Sequence, residues 1–521
     1  MTTRLLFLLG AFTLTILAAA GADPVPPAAV PPDAPQETLA LTMNEAVVRA
    51  LDANLEITVE RLKPQIAEQR RRAAMGILDL HLETALTSES LETPQNTRDF
   101  FATGRSVEVL DEDNLRFEGT LGGQLPTGTR YNITIKSYSL KNTLNREALA
   151  RFYPEFTSSA AFTVTQPLLR GLGRSATMVE ANVATSELKA SEHALRGRVD
   201  QIAANVLDAY VEAAYGRELV HVITDRIALA DRLRTENDKR LKQGLMAPID
   251  VLQAESTKAA AEIELIRARS FQTEAENRLR EYLFTDFTAA AGIAFNLVDP
   301  LKEVVLDESL PALRNLALER SAEYRVAEQQ VVTEKMKVAY ARNQMLPRLD
   351  LEASYGLNGL AGDLGASFSD FSQRTKPSIT VGVIASVPIT FAQERAHLRE
   401  ALLNLRTAEI EVKRTANRII AQVQTAHARV LSAIQRADSA ARAVATAAAA
   451  LDAEEKRLAN GLTTSFNVLR LQDELAQARV NRLEAVAEGQ KAMAVLWGVT
   501  GVLLERHAIN TTELPGAITH S

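Results

Sequence analysis

The chain contains no cysteine among its 521 residues. That excludes disulfides, cysteine-ligated zinc, iron–sulfur clusters, thiol catalysis and a lipid-modified N-terminal cysteine. Aromatic residues make up only 5%, which suits long, closely packed, alanine-rich helices better than a thick globular core. No basic excess is present. With 58 Lys+Arg against 65 Asp+Glu and a net charge of −7, the chain has no surplus with which to neutralise phosphates, so no nucleic-acid partner is expected. Beyond the first 22 residues no stretch of about 18 consecutive apolar residues occurs, which excludes a membrane-spanning helix from that part. Catalytic signatures are missing as well. There is no Gly-x-Gly-x-x-Gly, no phosphate-binding Gly-Lys-Ser/Thr, no His-Glu-x-x-His and no Gly-x-Ser-x-Gly. The seven histidines are scattered without ligand spacing. Neither an enzyme nor a cofactor site is expected.

What is present begins with an address. Residues 1–22 read as a secretory signal: Arg4, an apolar run from Leu5 to Ala20, and a small-residue cleavage site at Ala20-Gly21-Ala22. Residues 23–38 form a proline-rich linker with Pro24, Pro26, Pro27, Pro31, Pro32 and Pro35, extended rather than packed. An exported chain without an apolar helix crosses a membrane, if at all, with strands.

The central feature is an internal duplication. Apolar or small residues recur every seven positions at Ala181, Leu188, Leu195, Ile202, Ala209, Gly216, Ile223 and Ala230. The same seam returns 217 residues later, from Leu398 through Ala447. Each seam leads into a matching punctuation, Arg240-Leu-Lys-Gln-Gly244-Leu245 and Arg457-Leu-Ala-Asn-Gly461-Leu462. Upstream, Ala50-Leu51 and Glu56 through Val59 echo Ala317-Leu318 and Glu323 through Val326 at an offset of 267. The difference places about 50 extra residues of the first half within 90–160. We divide the chain into a first unit, 39–300, a second unit, 301–498, and a tail, 499–521. Two proline-free stretches predict long helices over roughly 174–242 and 393–459, each about 100 Å at 1.5 Å per residue. Helices of half that length are expected at about 42–75, 248–284, 310–344 and 463–497. The seven-residue period favours supercoiled pairing.

Strict alternation marks strands at Leu78–Glu83 and Leu349–Tyr355, with further runs at Tyr131–Tyr138, Ala160–Gln166 and Ser378–Val387. Leucines then occupy one face and carboxylates the other. Asp79, His81 and Glu83 share a face, but the second half keeps its acidic pattern at Asp350 and Glu352 without a histidine. A polar barrel interior explains both halves better than a metal site. About four strands are clear, with an extra hairpin expected near 115–139 around Pro126-Thr127-Gly128. Four or even six cannot close a barrel, for which about eight are needed. Open edges are not tolerated in lipid, so several copies must share one barrel. Pro167 and Pro388 stand where strands hand over to long helices and mark the barrel-to-helix junction.

These residues resemble the TolC family of outer-membrane efflux proteins over nearly the whole stretch from Leu39 to Gly498. The resemblance rests on Leu41-Thr42-Met43-Asn44-Glu45-Ala46-Val47, on Gln166-Pro167-Leu168-Leu169-Arg170-Gly171, on Leu346-Pro347-Arg348-Leu349 and on the two Gly-Leu turns. It implies a mainly helical fold with membrane strands. Long antiparallel coiled-coil helices would form an α-barrel in the periplasm, and about four strands per chain would join a trimeric β-barrel in the outer membrane. It further implies a passive exit duct of a tripartite efflux or type I secretion system, docked on a periplasmic adaptor and an inner-membrane pump. By the same resemblance Gly244, Leu245, Gly461 and Leu462 lie at adaptor-contacting tips, and Asp250, Thr463, Asn467 and Arg470 at the periplasmic aperture. The family's two aperture aspartates are replaced here by Asn467 and Arg470, and an arginine after the second turn by Thr463. A closed entrance held by Asp250 with Arg470 is therefore expected. The rival reading is a periplasmic coiled-coil adaptor or structural protein, which needs no lipid-facing strands.

Overall fold

The computed structural model describes residues 38–98, 108–143, 151–244, 246–373, 376–507 and 509. The expected signal, nearly all of the linker, Leu245 and most of the C-terminal tail lie outside these residues. Nine helices of two turns or more are seen among the described residues. They are α1 (Met43–Ala53), α2 (Leu55–Met75), α3 (Val179–Lys242), α4 (Pro248–Leu283), α5 (Leu310–Arg320), α6 (Ala322–Gln344), α7 (Leu364–Ser372), α8 (Ala392–Ala459) and α9 (Ser465–Thr500). Eight strands accompany them: β1 (Thr38–Leu41), β2 (His81–Pro94), β3 (Val109–Gln124), β4 (Arg130–Asn142), β5 (Glu155–Pro167), β6 (Ala294–Leu297), β7 (Arg348–Ala361) and β8 (Pro377–Ser386).

The duplication is visible element by element. The starts of α1, α2 and β2 recur 267 residues later in α5, α6 and β7, and α4 recurs 217 residues later as α9. All positions of the two seven-residue seams are buried or half-buried. A further seam not singled out from the sequence runs along α4, where Ala254, Ala261, Ala268 and Ala275 are buried at the same spacing. Methyl-sized side chains let α3 and α4 approach closely, as in tightly packed coiled coils.

Two expected helices are each broken in two. Asn54 leaves the helix for extended backbone, and its side-chain oxygen accepts from the amides of Glu56 and Ile57. Ser321 does the same before α6, accepting from the Tyr324 amide. Each is an N-cap satisfying amides that a helix start leaves without partners. Pro64 does not end α2, which runs through it.

Strands β1 and β6 form a small parallel pair packed near the middle of α3. There the fully buried Tyr210 donates its hydroxyl proton to the Leu41 carbonyl at 2.8 Å and accepts from the Asp299 amide at 3.2 Å. The surrounding core joins Val47, Leu51, Ile202, Val206, Leu279 and Leu503.

The second sheet has six strands, in the order β2-β3-β4-β5-β7-β8, all antiparallel. That is two more than the four clear from alternation. The additional pair is β3–β4, the hairpin expected around Pro126. Register aligns Leu82 with Leu121, Ile133 with Phe162, and Tyr355 with Ile379 on one face. That face stays apolar and exposed across the sheet: Leu82 and Ile379 are each 71% exposed. The opposite face carries Lys136 paired with Glu118, Arg116 with Glu89, and Arg348 with Asp350. Helix α7 folds onto the apolar face at the end remote from the long helices, where the Ser367 and Ser158 hydroxyls lie 2.6 Å apart. No helix among the described residues is long and apolar enough to cross a membrane.

Candidate gate and junction

Two groups of residues stand out: the turns at the ends of the long helices, and the seam between sheet and helices. At the turns, Gly244 and Gly461 have φ of +74° and +72°. A Cβ at either would meet nothing within 4 Å, so glycine is required there by backbone conformation and not by crowding. After α8 the amide of Leu462 reaches the Arg457 carbonyl and that of Gly461 the Leu458 carbonyl, the left-handed helix cap. Leu462 is 68% exposed. Ile249, Leu252 and Phe466 on the first turns of α4 and α9 are exposed too. Ile249 and Phe466 occupy corresponding places in the two halves, and sequence reading gave neither a role. Their signal was available in that correspondence.

Just behind the turns the two hairpins are tied together. The fully buried Asn237 of α3 donates its amide hydrogen to the Asp250 carbonyl at 3.2 Å and accepts from the Ser465 hydroxyl at 3.1 Å. Thr463 donates to Glu454 and accepts from Asn467. The expected pair of Asp250 with Arg470 is not formed within the chain. Arg470 instead meets Glu474 one turn along its own helix, at 2.7 Å, because a side chain four residues away on the same face is the nearer partner. A charged tie between the hairpins is made by Arg226 of α3, which bridges Glu264 on α4 and Asp473 on α9. It lies against a groove of about 1030 Å³ lined by Tyr215, Phe271, Phe466 and Arg470, among others. Farther along, Asp231 of α3 is held below its ordinary pKa by hydrogen bonds from Lys258 of α4 and from Arg234.

Near the middle of the tube, Asp200 is pushed up to about 6 by burial. Desolvation disfavours the carboxylate there, and Arg196 only partly offsets it.

The junction brings two motifs together. The Leu168 amide donates to the Leu349 carbonyl at 2.7 Å, and the Arg170 side chain donates to the Leu346 carbonyl at 2.9 Å. Arg170 also lies 3.5 Å from Glu394 at the start of α8. Pro167 ends β5, and Pro388 follows β8 by two residues. Asp350 is buried there between Arg348 and Arg130. Gly128 sits at φ +93° with a Cβ position only 2.4 Å from the Gly171 carbonyl oxygen, so the β3–β4 turn touches the junction through bare backbone. Asp79, His81 and Glu83 do not assemble: no group of three or more possible metal ligands is found among the described residues.

The profile of a family described as outer membrane efflux protein matches residues 141–283 and 313–502. Among solved structures, the outer-membrane channel OprN is similar at a TM-score of 0.64 and 15% identity, over 88% of this chain and 89% of that one. The CmeC outer membrane channel of Campylobacter jejuni is similar at 0.63 and 14%, over 88% and 86%. The outer membrane protein VceC of Vibrio cholerae is similar at 0.62 and 16%, over 88% and 96%. At these identities the likeness is one of fold. No curated protein matches the chain.

Proposed function

Because the chain belongs to the outer membrane efflux protein family, a family of channels rather than enzymes, we propose that it is the exit duct of a tripartite efflux or type I secretion assembly. Three copies share one β-barrel in the outer membrane, and their helices extend into the periplasm as a tube. Units 39–300 and 301–498 each supply half of one copy's share of the tube, while the first supplies four of its six strands and the second two. Substrates move passively, the energy coming from an inner-membrane pump coupled through a periplasmic adaptor.

One observation carries this reading: a six-stranded sheet with one exposed apolar face and two unpaired edges, set at the end of helices about 100 Å long. In water such a face would aggregate, and in lipid the edges must find partners. A periplasmic adaptor has no use for that face, which separates it from the duct.

The tips take roles in this reading. Gly244, Leu245, Gly461 and Leu462 are assigned to adaptor contact, and the exposed Ile249, Leu252 and Phe466 extend that landing surface. Asp250, Thr463, Asn467 and Arg470 surround the aperture, which the Arg226 bridge and the Asn237 tie hold closed. The processed protein, purified in detergent and reconstituted in planar bilayers, is expected to migrate as a heat-sensitive trimer and to conduct in discrete steps. A water-soluble monomer without conductance would overturn the proposal.

A further inference from the structure

The order of helices next to the junction is fixed by their contacts: α2 packs on α3, α3 on α6, and α6 on α8. Each continues into or out of one strand, α2 into β2, β5 into α3, α6 into β7 and β8 into α8. The four strands follow the same order in the sheet as their helices do in the tube. Hairpin β3–β4 is inserted between β2 and β5 and has no helix beneath it.

Spacing decides what that insertion does. Helices pack about 8–10 Å apart, so four span roughly 32–40 Å of circumference. Strands lie about 4.8 Å apart and tilt by about 40° in barrels, so four cover roughly 25 Å and six roughly 38 Å. At this tilt four strands per copy cover less circumference than its four helices, whereas six cover about the same.

The hairpin has the surface of a wall segment. Phe117, Leu121, Ile133 and Ile135 stand on the same apolar face as Leu82 and Ile379, while Arg116 and Lys136 pair with carboxylates on the other. A flap outside the barrel gains nothing from such a face. Six strands also leave β2 and β8 running in opposite directions. Every joint between copies is then antiparallel, like the joints within a copy.

We propose that the β3–β4 hairpin is part of the membrane wall. Three copies then close an eighteen-strand barrel by pairing β2 of each with β8 of the next, and the outer-membrane end is as wide as the helical tube. This rests on the duct reading and adds to it. Barrels of 16–18 strands enclose an aqueous channel, so the exit admits bulky hydrated cargo, including polypeptide, and the constriction lies at the tips.

The test is electron microscopy of the full-length trimer in lipid nanodiscs, joined to polymer exclusion on the same sample. Eighteen strands are expected, with β2 beside β8 of a neighbour. Neutral polymers added from the outer side should enter more freely than in a variant lacking residues 97–152. A closed twelve-strand barrel with the hairpin outside it would overturn the inference and leave the duct intact. So would an outer-side polymer cut-off unchanged by the deletion. A particle with no barrel at all would instead overturn the duct reading.

Discussion

The side-chain oxygen of Asn237 accepts a hydrogen bond from the Ser465 hydroxyl at 3.1 Å, and neither residue has solvent access. One lies on the long helix of the first hairpin and the other opens the last helix of the second, so the contact spans the two halves of the duplication. Asn237→Ala leaves the Asp250 carbonyl and the Ser465 hydroxyl without these partners, at a cost of about 1–3 kcal/mol. We expect larger and more frequent openings in planar bilayers and a lower trimer dissociation temperature. Ser465→Ala in the Asn237→Ala background should add little, because one shared bond is lost only once.

Arg226 is the second tie. Its side chain is largely shielded while Glu264 and Asp473 are nearly half exposed, so solvent screens much of the attraction and the bridge contributes about 1 kcal/mol. Arg226→Met keeps the stem and removes the charge. It should raise the open probability at low ionic strength, and the difference from the parent protein should shrink in 1 M salt. A salt-independent difference would mean that packing, not charge, holds the hairpins.

Leu462 and Phe466 are exposed at the tips. The double variant Leu462→Asp, Phe466→Asp should assemble and conduct like the parent. In cells, export should fall at least about tenfold, since desolvated apolar anchors dominate protein docking. Normal export by this variant would remove the tips from the docking surface.

Glycines 128 and 461 both have positive φ, but only Gly128 faces a carbonyl at clashing distance. Gly461→Ala should cost about 1 kcal/mol, from backbone strain alone. Gly128→Ala adds a steric conflict at the junction and should lower the trimer yield and the melting temperature well beyond the Gly461 variant. Thermal melts of the two trimers make the comparison.

Asp200, raised to about 6 by burial, binds its proton more tightly in the folded protein than in the unfolded chain, whose carboxyl lies near 3.9. Its contribution therefore becomes less favourable as pH rises from about 4 to 6 and stays unfavourable above. Asp200→Asn should match the parent's melting temperature near pH 4 and exceed it at pH 7.5. Equal gains at both values would remove the buried charge as the cause.

The helical tube was legible in the sequence because its signals are local. Seven-residue periodicity reports a packing seam, a glycine reports left-handed backbone, and the offsets of 217 and 267 report a repeated unit whatever that unit touches. The strands were legible for the same reason, since alternation at Leu349–Tyr355 needs no knowledge of a neighbour, and an extra hairpin was expected near 115–139 without its place in the sheet. The breaks at Asn54 and Ser321 were written as capping residues but were outweighed by the apolar pattern on either side. Tertiary structure alone decided which charges meet. Asp250 and Arg470 do not pair with each other, Arg226 reaches two other helices, and the Gln166–Gly171 motif binds Leu346. It also set the sheet order, with β3–β4 between β2 and β5. Partner choice depends on how separate helices supercoil and on which edges come within a few ångströms, and no period along one chain carries that distance.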